Sequence, residues 1–243
     1  MVNRTTFKQY LLEAEEKMPR AEDVDDLLAS IVDGKFTKDG SKLTVTGDFL
    51  CGNNQLKSLE GCPQTVGGDF VCYENKLKSL KGCPQTVGGY FWCNNNQLKS
   101  LEGCPQTVND SFSCSTNKLK SLEGCPQKVG GNFWCLDNQL ESLEGCPQIV
   151  GGDFNCSNNK QLTSLTRINF YVHEINGEDG ADFRDCPIKS NILGLLKIRG
   201  LKSVYFDDRK LEAIVNKHLP MGNIAECMDE LLDAGYSKEY CKW

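Results

Sequence analysis

The residues best suited to chemistry in this chain are its fourteen cysteines. A thiol can close a disulfide, ligate a metal or act as a nucleophile, and its setting decides which. Eleven of the fourteen obey one rule of spacing. Cys51, Cys72, Cys93, Cys114, Cys135 and Cys156 form one column at a fixed interval of 21, and Cys62, Cys83, Cys104, Cys125 and Cys146 form a second. Like residues repeated in this way stack on neighbouring strands about 4.8 Å apart, whereas a disulfide needs Cβ atoms nearer 3.8 Å. No C-x-x-C pair occurs, and the two histidines, His173 and His218, stand outside the columns, so no zinc-like ligand set forms. The columns therefore predict reduced thiols buried as small hydrophobes, in a reducing compartment. No G-x-S-x-G, Walker loop, H-E-x-x-H or G-x-G-x-x-G is present. The expectation is a non-enzymatic protein without metal or cofactor.

The elements that carry these columns follow from the same interval. Phe49, Phe70, Phe91, Phe112, Phe133 and Phe154 keep the spacing without a slip, inside the string F-x-C-x-x-N-x-L-x-S-L-x-G-C-P-Q-x-V-x-x. A period of about 20–29 residues marks a solenoid of stacked coils. Phe70 and Cys72 point inward from a short strand, because side chains alternate along it. Asn54, Asn75, Asn96, Asn117, Asn138 and Asn159 stand where the chain leaves that strand, and a buried amide there can bond the corner backbone of its own and adjacent coils. Pro63 and its repeats favour an extended return limb, Val66 and its repeats re-enter the core, and Gly-Gly pairs such as Gly67-Gly68 lead into the next strand.

The string resembles the leucine-rich repeat of short bacterial effectors, with Cys-Pro where that class often has Leu-Pro. The resemblance implies a curved solenoid with a parallel sheet on its concave face. The fold expected is thus a mainly β, leucine-rich-repeat-like solenoid. Six coils occupy 43–165, a helical arm fills 1–42 with helices at 7–17 and 24–32, and an α/β cap spans 166–243. In that cap, 188–206 reads as two short strands and 210–218 and 224–234 as amphipathic helices. Similar caps follow similar repeats in tailed, T-even-type bacteriophage proteins.

The repeats differ from one another chiefly at outward positions of the strand. The position after each Phe reads Leu50, Val71, Trp92, Ser113, Trp134, Asn155. The position before it reads Asp48, Asp69, Tyr90, Ser111, Asn132, Asp153, and the one after the Cys includes Tyr73 and Leu136. Exposed aromatic and aliphatic clusters mark interfaces. A partner-binding face is therefore expected on Leu50, Val71, Tyr73, Tyr90, Trp92, Trp134 and Leu136, with Asp48, Asp69 and Asp153 steering a basic partner. Aromatics also simply suit strands, and the same face could meet the cap or another copy. The net charge of −6, from 27 Lys+Arg against 33 Asp+Glu, argues against nucleic acid. Lys57, Lys78, Lys99 and Lys120 form a row beside glutamates and read as a solvated face. No apolar run approaches a membrane span.

Two further segments carry resemblances. Cys227-Met228-Asp229 is similar to the C-x-D signature of ubiquitin ligases that bear this repeat class. Its neighbours Glu226 and Glu230 are acidic, however, and the segment is far shorter than that ligase domain. Residues 6–14, from Thr6 through Phe7 and Tyr10 to Ala14, resemble the capsid-targeting peptide of internal head proteins of T-even-type phages. That resemblance makes Leu11 and Glu13 the recognition residues of a prohead protease cutting before Ala14; the alternative is an ordinary capping helix. Together the resemblances imply a phage protein that binds a bacterial host protein, such as a defence protein, in the host cytoplasm, packaged in the capsid first if the tag is used. The other reading is a structural or internal virion component whose face meets capsid protein or itself.

Overall fold

The computed structural model describes residues 32–33, 36–39, 42–168 and 172–242. The helices expected at 7–17 and 24–32 and the processing residues Leu11, Glu13 and Ala14 lie outside them, except that Val32 opens a strand.

The fold is a parallel β-solenoid whose coils each contribute a rung to two sheets. The first, here the phenylalanine sheet, has nine strands. It runs from Val32–Asp33 through Asp48–Leu50, Phe70–Val71, Phe91–Trp92, Phe112–Ser113, Phe133–Trp134, Phe154–Asn155 and Ala181–Asp182 to Val204–Tyr205. The second, the valine sheet, has eight, from Phe36–Asp39 and Lys42–Val45 through Thr65–Val66, Thr86–Val87, Thr107–Val108, Lys128–Val129 and Ile149–Val150 to Glu174–Ile175. The return limb is thus itself a sheet. Its rungs keep the same 21-residue register, Val66 on Val87 on Val108, because the limb is extended and each backbone group needs a partner in the coil above or below.

The core lies between the sheets. Phe49 to Phe154 stack with centroids 5.2 to 5.8 Å apart and are at most 1% exposed. Rings at this separation add to the burial term, itself about 1.5–3 kcal/mol per side chain. The asparagine corner closes each coil. Asn75 Oδ1 accepts from Asn54 N and Leu56 N at 3.1 and 2.8 Å, and Nδ2 donates to the carbonyls of Cys51, Cys72 and Tyr73 at 3.0, 3.0 and 3.2 Å. The cysteines are free, and all but Cys241 are buried.

Gly-Gly at the strand entrance answers close approach rather than turn geometry. A Cβ on Gly88 would sit 1.9 Å from the Gly67 carbonyl oxygen, and one on Gly89 would sit 2.0 Å from Asp69 Oδ1. Neither has a positive φ.

Both ends differ from expectation. At the front, the described residues 32–33 and 36–39 of the expected helical arm are strands. Val32–Asp33 pairs antiparallel with the first phenylalanine rung, and Phe36–Asp39 pairs antiparallel with Lys42–Val45. An antiparallel strand on the open first rung occupies its edge groups. At the back, stacking does not stop at Leu165. Ala181–Asp182 pairs in parallel with Phe154–Asn155, and Val204–Tyr205 pairs with Ala181–Asp182. These two rungs break the interval, but their side chains conserve volume. Ala181 takes the Phe place and Phe183 the Cys place, and Phe183 still stacks on Phe154 at 6.0 Å and on Phe206 at 5.8 Å. Of the two strands expected in 188–206, one exists. The other is the 3₁₀ turn Leu193–Lys197, buried along most of its length. Helix α1, Arg209–His218, then covers the last rung, and α2, Ile224–Asp233, packs on α1 and on the 3₁₀ turn.

Candidate functional site

The outer face of the phenylalanine sheet holds the variable residues in register: Leu50 on Val71 on Trp92 on Ser113 on Trp134 on Asn155 on Asp182 on Tyr205. Leu50 is 46% exposed. Tyr73, Tyr90, Trp92, Trp134 and Leu136 are half-buried. Tyr90 and Trp92 stack at 5.3 Å. The ring of Tyr73 lies back over Gly52, whose missing side chain leaves it room. The structure therefore brings the expected aromatic residues onto one face. It also corrects one of them: Val71 is buried, at 7% exposure. It is a short side chain flanked on the ladder by Leu50 and Trp92, and cross-strand neighbours that close cover it. Ser113, between Trp92 and Trp134, is buried for the same reason.

The acidic residues do something the sequence reading did not assign. Asp48 Oδ1 accepts from Asp69 N at 2.7 Å, and Asp69 Oδ1 accepts from Tyr90 N at 2.7 Å. Ser111 Oγ accepts from Asn132 N at 2.9 Å, and Asn132 Oδ1 accepts from Asp153 N at 2.8 Å. Asp153 Oδ1 then accepts from Asp179 N and Gly180 N at 2.9 and 3.1 Å. The column before the phenylalanines is a second side-chain ladder, in which every residue but Tyr90 holds a backbone N–H of the next coil. The signal was present, since the column is mostly Asp, Asn and Ser, the types whose short side chains bond nearby backbone. Burial raises the Asp69 carboxyl above its ordinary range, with the charges of Asp48 and Asp110 adding, against the Tyr90 N–H bond.

Beyond Trp134 the face opens into a cleft of about 360 Å³ lined by Trp134, Asp153, Asn155, Asp182, Arg184 and Tyr205, with Asp179 and Gly180 at its side. Arg184 grips Asp182 with Nε to Oδ1 at 3.0 Å and Nη2 to Oδ2 at 2.6 Å, and lies over the Tyr205 ring at 5.5 Å. Asp182, Arg184 and Tyr205 were missed in the sequence because they follow the break in period.

Cys227 lies fully buried on α2. Burial, with Cys241 and Glu230 beside it, pushes its thiol up to about 11, the opposite of the depressed value a cysteine nucleophile needs. Among the described residues, no three His, Cys, Asp or Glu side chains are grouped to hold a metal ion, and no helix is long and apolar enough to cross a membrane. Lys120 pairs with Glu141 at 2.8 Å on the lysine row, an exposed pair of the kind that contributes little.

Comparison with family models, with curated proteins and with solved structures finds no match to this chain.

Proposed function

We propose that the chain is a non-enzymatic binding solenoid that occupies a bacterial protein through the outer face of its phenylalanine sheet. One observation carries this reading. The Phe, Cys, Asn, Leu, Pro and Val positions repeat almost unchanged from coil to coil, while the outer face changes at every rung and keeps half-exposed Tyr73, Tyr90, Trp92, Trp134 and Leu136 together. A surface needed only to cover the sheet would have no reason to diversify there, and Trp and Tyr are the residues that dominate recognition. The resemblance of the repeat string to effector repeats, and of residues 6–14 to a capsid-targeting peptide, supports a phage source and a host protein as the partner.

The test is retention of a bacterial protein by the immobilised chain, compared with Trp92→Ala/Trp134→Ala, with circular dichroism confirming that both fold. A protein held by the first and released by the second supports the reading. Equal retention refutes the face. If the native chain instead self-associates through these tryptophans, or enters particles and captures no host protein, the structural-component reading replaces it.

A further inference from the structure

The coils segregate their charge. Residues 48–53, 69–74, 90–95, 111–116, 132–137 and 153–158 make up the rungs of the phenylalanine sheet and their exits. They hold five carboxylates, Asp48, Asp69, Glu74, Asp137 and Asp153, and no lysine or arginine. Every lysine between 48 and 160 lies outside these segments. Among the described residues no cation pairs with any of the five.

The carboxylates stand on two rims with an apolar strip between them. Asp48, Asp69 and Asp153 precede the phenylalanines, and the ladder bonds engage only their Oδ1 atoms. Glu74 and Asp137 follow the strand on the other side, where the sheet ladder still closes, Glu74 N donating to Asn94 O at 3.1 Å. The strip itself is built from Leu50, Tyr73, Trp92, Trp134 and Leu136, all at least partly exposed.

Size and backbone chemistry select the occupant. From Leu50 to Asn155 the strip crosses five rung spacings, roughly 24 Å, and Asp48 to Gly52 gives it a width of roughly 13 Å. That footprint, roughly 300 Å², is well short of the about 800 Å² that each partner buries in a stable globular pair. A second copy would also set carboxylates against carboxylates. An extended chain would find no backbone group to pair with, because the rungs spend theirs on each other, as Phe70 N does on Tyr90 O and Cys72 N on Trp92 O. A helix closes its own backbone bonds, is about 10–12 Å across, and covers 24 Å in about 16 residues.

We infer that the strip is the docking site for one basic amphipathic helix of the partner protein. The helix lies along the stack, its apolar side on Trp92 and Trp134 and a row of lysine or arginine over each acidic rim. This rests on the reading of the face as protein-binding and specifies the element that the face recognises.

The probe is a blocked 16-residue peptide of leucine and lysine, patterned to place the leucines on one side of a helix. It is titrated into the full chain while the indole N–H signals are followed by NMR, with Trp92 and Trp134 assigned from their Phe variants. One control peptide has the same composition in scrambled order, and another has glutamate for lysine. The expected result is a saturable shift at both tryptophans with a dissociation constant on the order of 10 μM in low salt, weakening as salt is raised. The scrambled peptide should bind at least tenfold more weakly and the glutamate peptide not at all. Asp48→Asn/Asp69→Asn keeps the Oδ1 acceptors that the next coils require, and should weaken binding several-fold. Glu74→Gln/Asp137→Asn should do the same from the other rim. Absence of a saturable shift, a shift at only one tryptophan, an equal response to the scrambled peptide, or native affinity after neutralising either rim overturns the proposal. If the peptide fails while Trp92-dependent capture of a partner persists, the helix is wrong and the face stands. If the peptide binds as described and no bacterial protein is captured, the helix site stands and the host reading falls.

Discussion

The side-chain amide of Asn216 binds both backbone groups of Val204: Oδ1 accepts from the N–H at 2.7 Å and Nδ2 donates to the carbonyl at 2.9 Å. Throughout the phenylalanine sheet each coil donates upward, as Phe70 N does to Tyr90 O and Ala181 N does to Ser203 O. The last rung has no coil above it. Asn216, on α1, reproduces the missing peptide with one planar amide. Glu212, one turn earlier, accepts from Phe206 N at 2.9 Å and completes the edge. The cap therefore ends the solenoid by imitating its next coil.

Asn216→Leu should remove this imitation while keeping the volume of the side chain. Two backbone groups of the last rung would lose their partners, at a cost of about 1–3 kcal/mol. The freed edge would also invite pairing with another chain. Urea unfolding and sedimentation velocity together read the outcome. A variant as stable and as monodisperse as the native chain would mean that Asn216 does not cap the sheet.

Asn117 tests the corner ladder in the middle of the stack. Its Oδ1 accepts from Leu98 N at 3.0 Å, and its Nδ2 serves the carbonyls of Cys93, Cys114 and Ser115 at 3.1, 3.0 and 3.2 Å. Asn117→Leu leaves the Leu98 N–H buried without a partner and takes one of two donors from each of the three carbonyls, and should cost about 1–3 kcal/mol. Because coils lean only on their neighbours, hydrogen exchange should rise most at the coils of Asn96, Asn117 and Asn138. Uniform loosening along the whole stack would argue against that locality.

Thr116 is the weak point of the same corner. The residue before each asparagine adopts a positive φ, and Thr116 holds 54° with a β-branched side chain that is exposed. Its counterparts at Asn53, Asn95 and Asn158 are of a type that tolerates this region, and threonine is not. Thr116→Asn should stabilise the chain by about 1 kcal/mol, read as a higher urea midpoint with unchanged slope. A loss of stability would mean that the threonine hydroxyl is worth more than the strain.

The coils from 43 to 165 were legible because one small set of side chains solves the same packing problem at a constant interval. Phe, Cys, Asn and Leu must each recur where the previous copy left a matching space. Legibility ended where the solution changed but the space did not. Ala181-Asp182-Phe183 exchanges the large and small members of Phe-x-Cys, and Cys186 stands where the asparagine should be, its thiol donating to the Cys156 carbonyl at 3.2 Å as Asn159 Nδ2 donates to Cys135. Cys186-Pro187 resembles the Cys-Pro corner in sequence yet occupies another corner in space. The aromatic face could be read from the alternation of side chains. The cleft could not, because two of its rungs belong to these altered coils. The structural duty of Asp48, Asp69 and Asp153 was hidden because a carboxylate at a strand entrance reads equally as surface charge.

The thiol columns make a prediction about pH. Burial pushes Cys83 and Cys135 up to about 12, and raises the thiols of Cys62, Cys72, Cys104, Cys114 and Cys125 as well, with neighbouring thiols adding for several of them. A thiol whose folded value lies above its unfolded value, near 8.5, favours the folded chain fully below 8.5. That contribution is lost as the pH climbs toward the folded value, at about 1.4 kcal/mol per pH unit for each thiol. The seven thiols together lose about 10 kcal/mol per unit, so a stability of the usual 5–15 kcal/mol is exhausted within about one and a half units above 8.5. The chain should therefore unfold cooperatively near pH 9.5–10, with the thiols unreactive toward iodoacetamide before the transition and alkylated after it. Cys104→Ala/Cys125→Ala should move the midpoint upward, because two of the groups that drive unfolding are gone, even though each cavity lowers stability at neutral pH. A chain that keeps its circular dichroism to pH 11, or thiols that alkylate fully at pH 8 in the folded state, would show that the columns are not the sealed hydrophobic ladders that the packing describes.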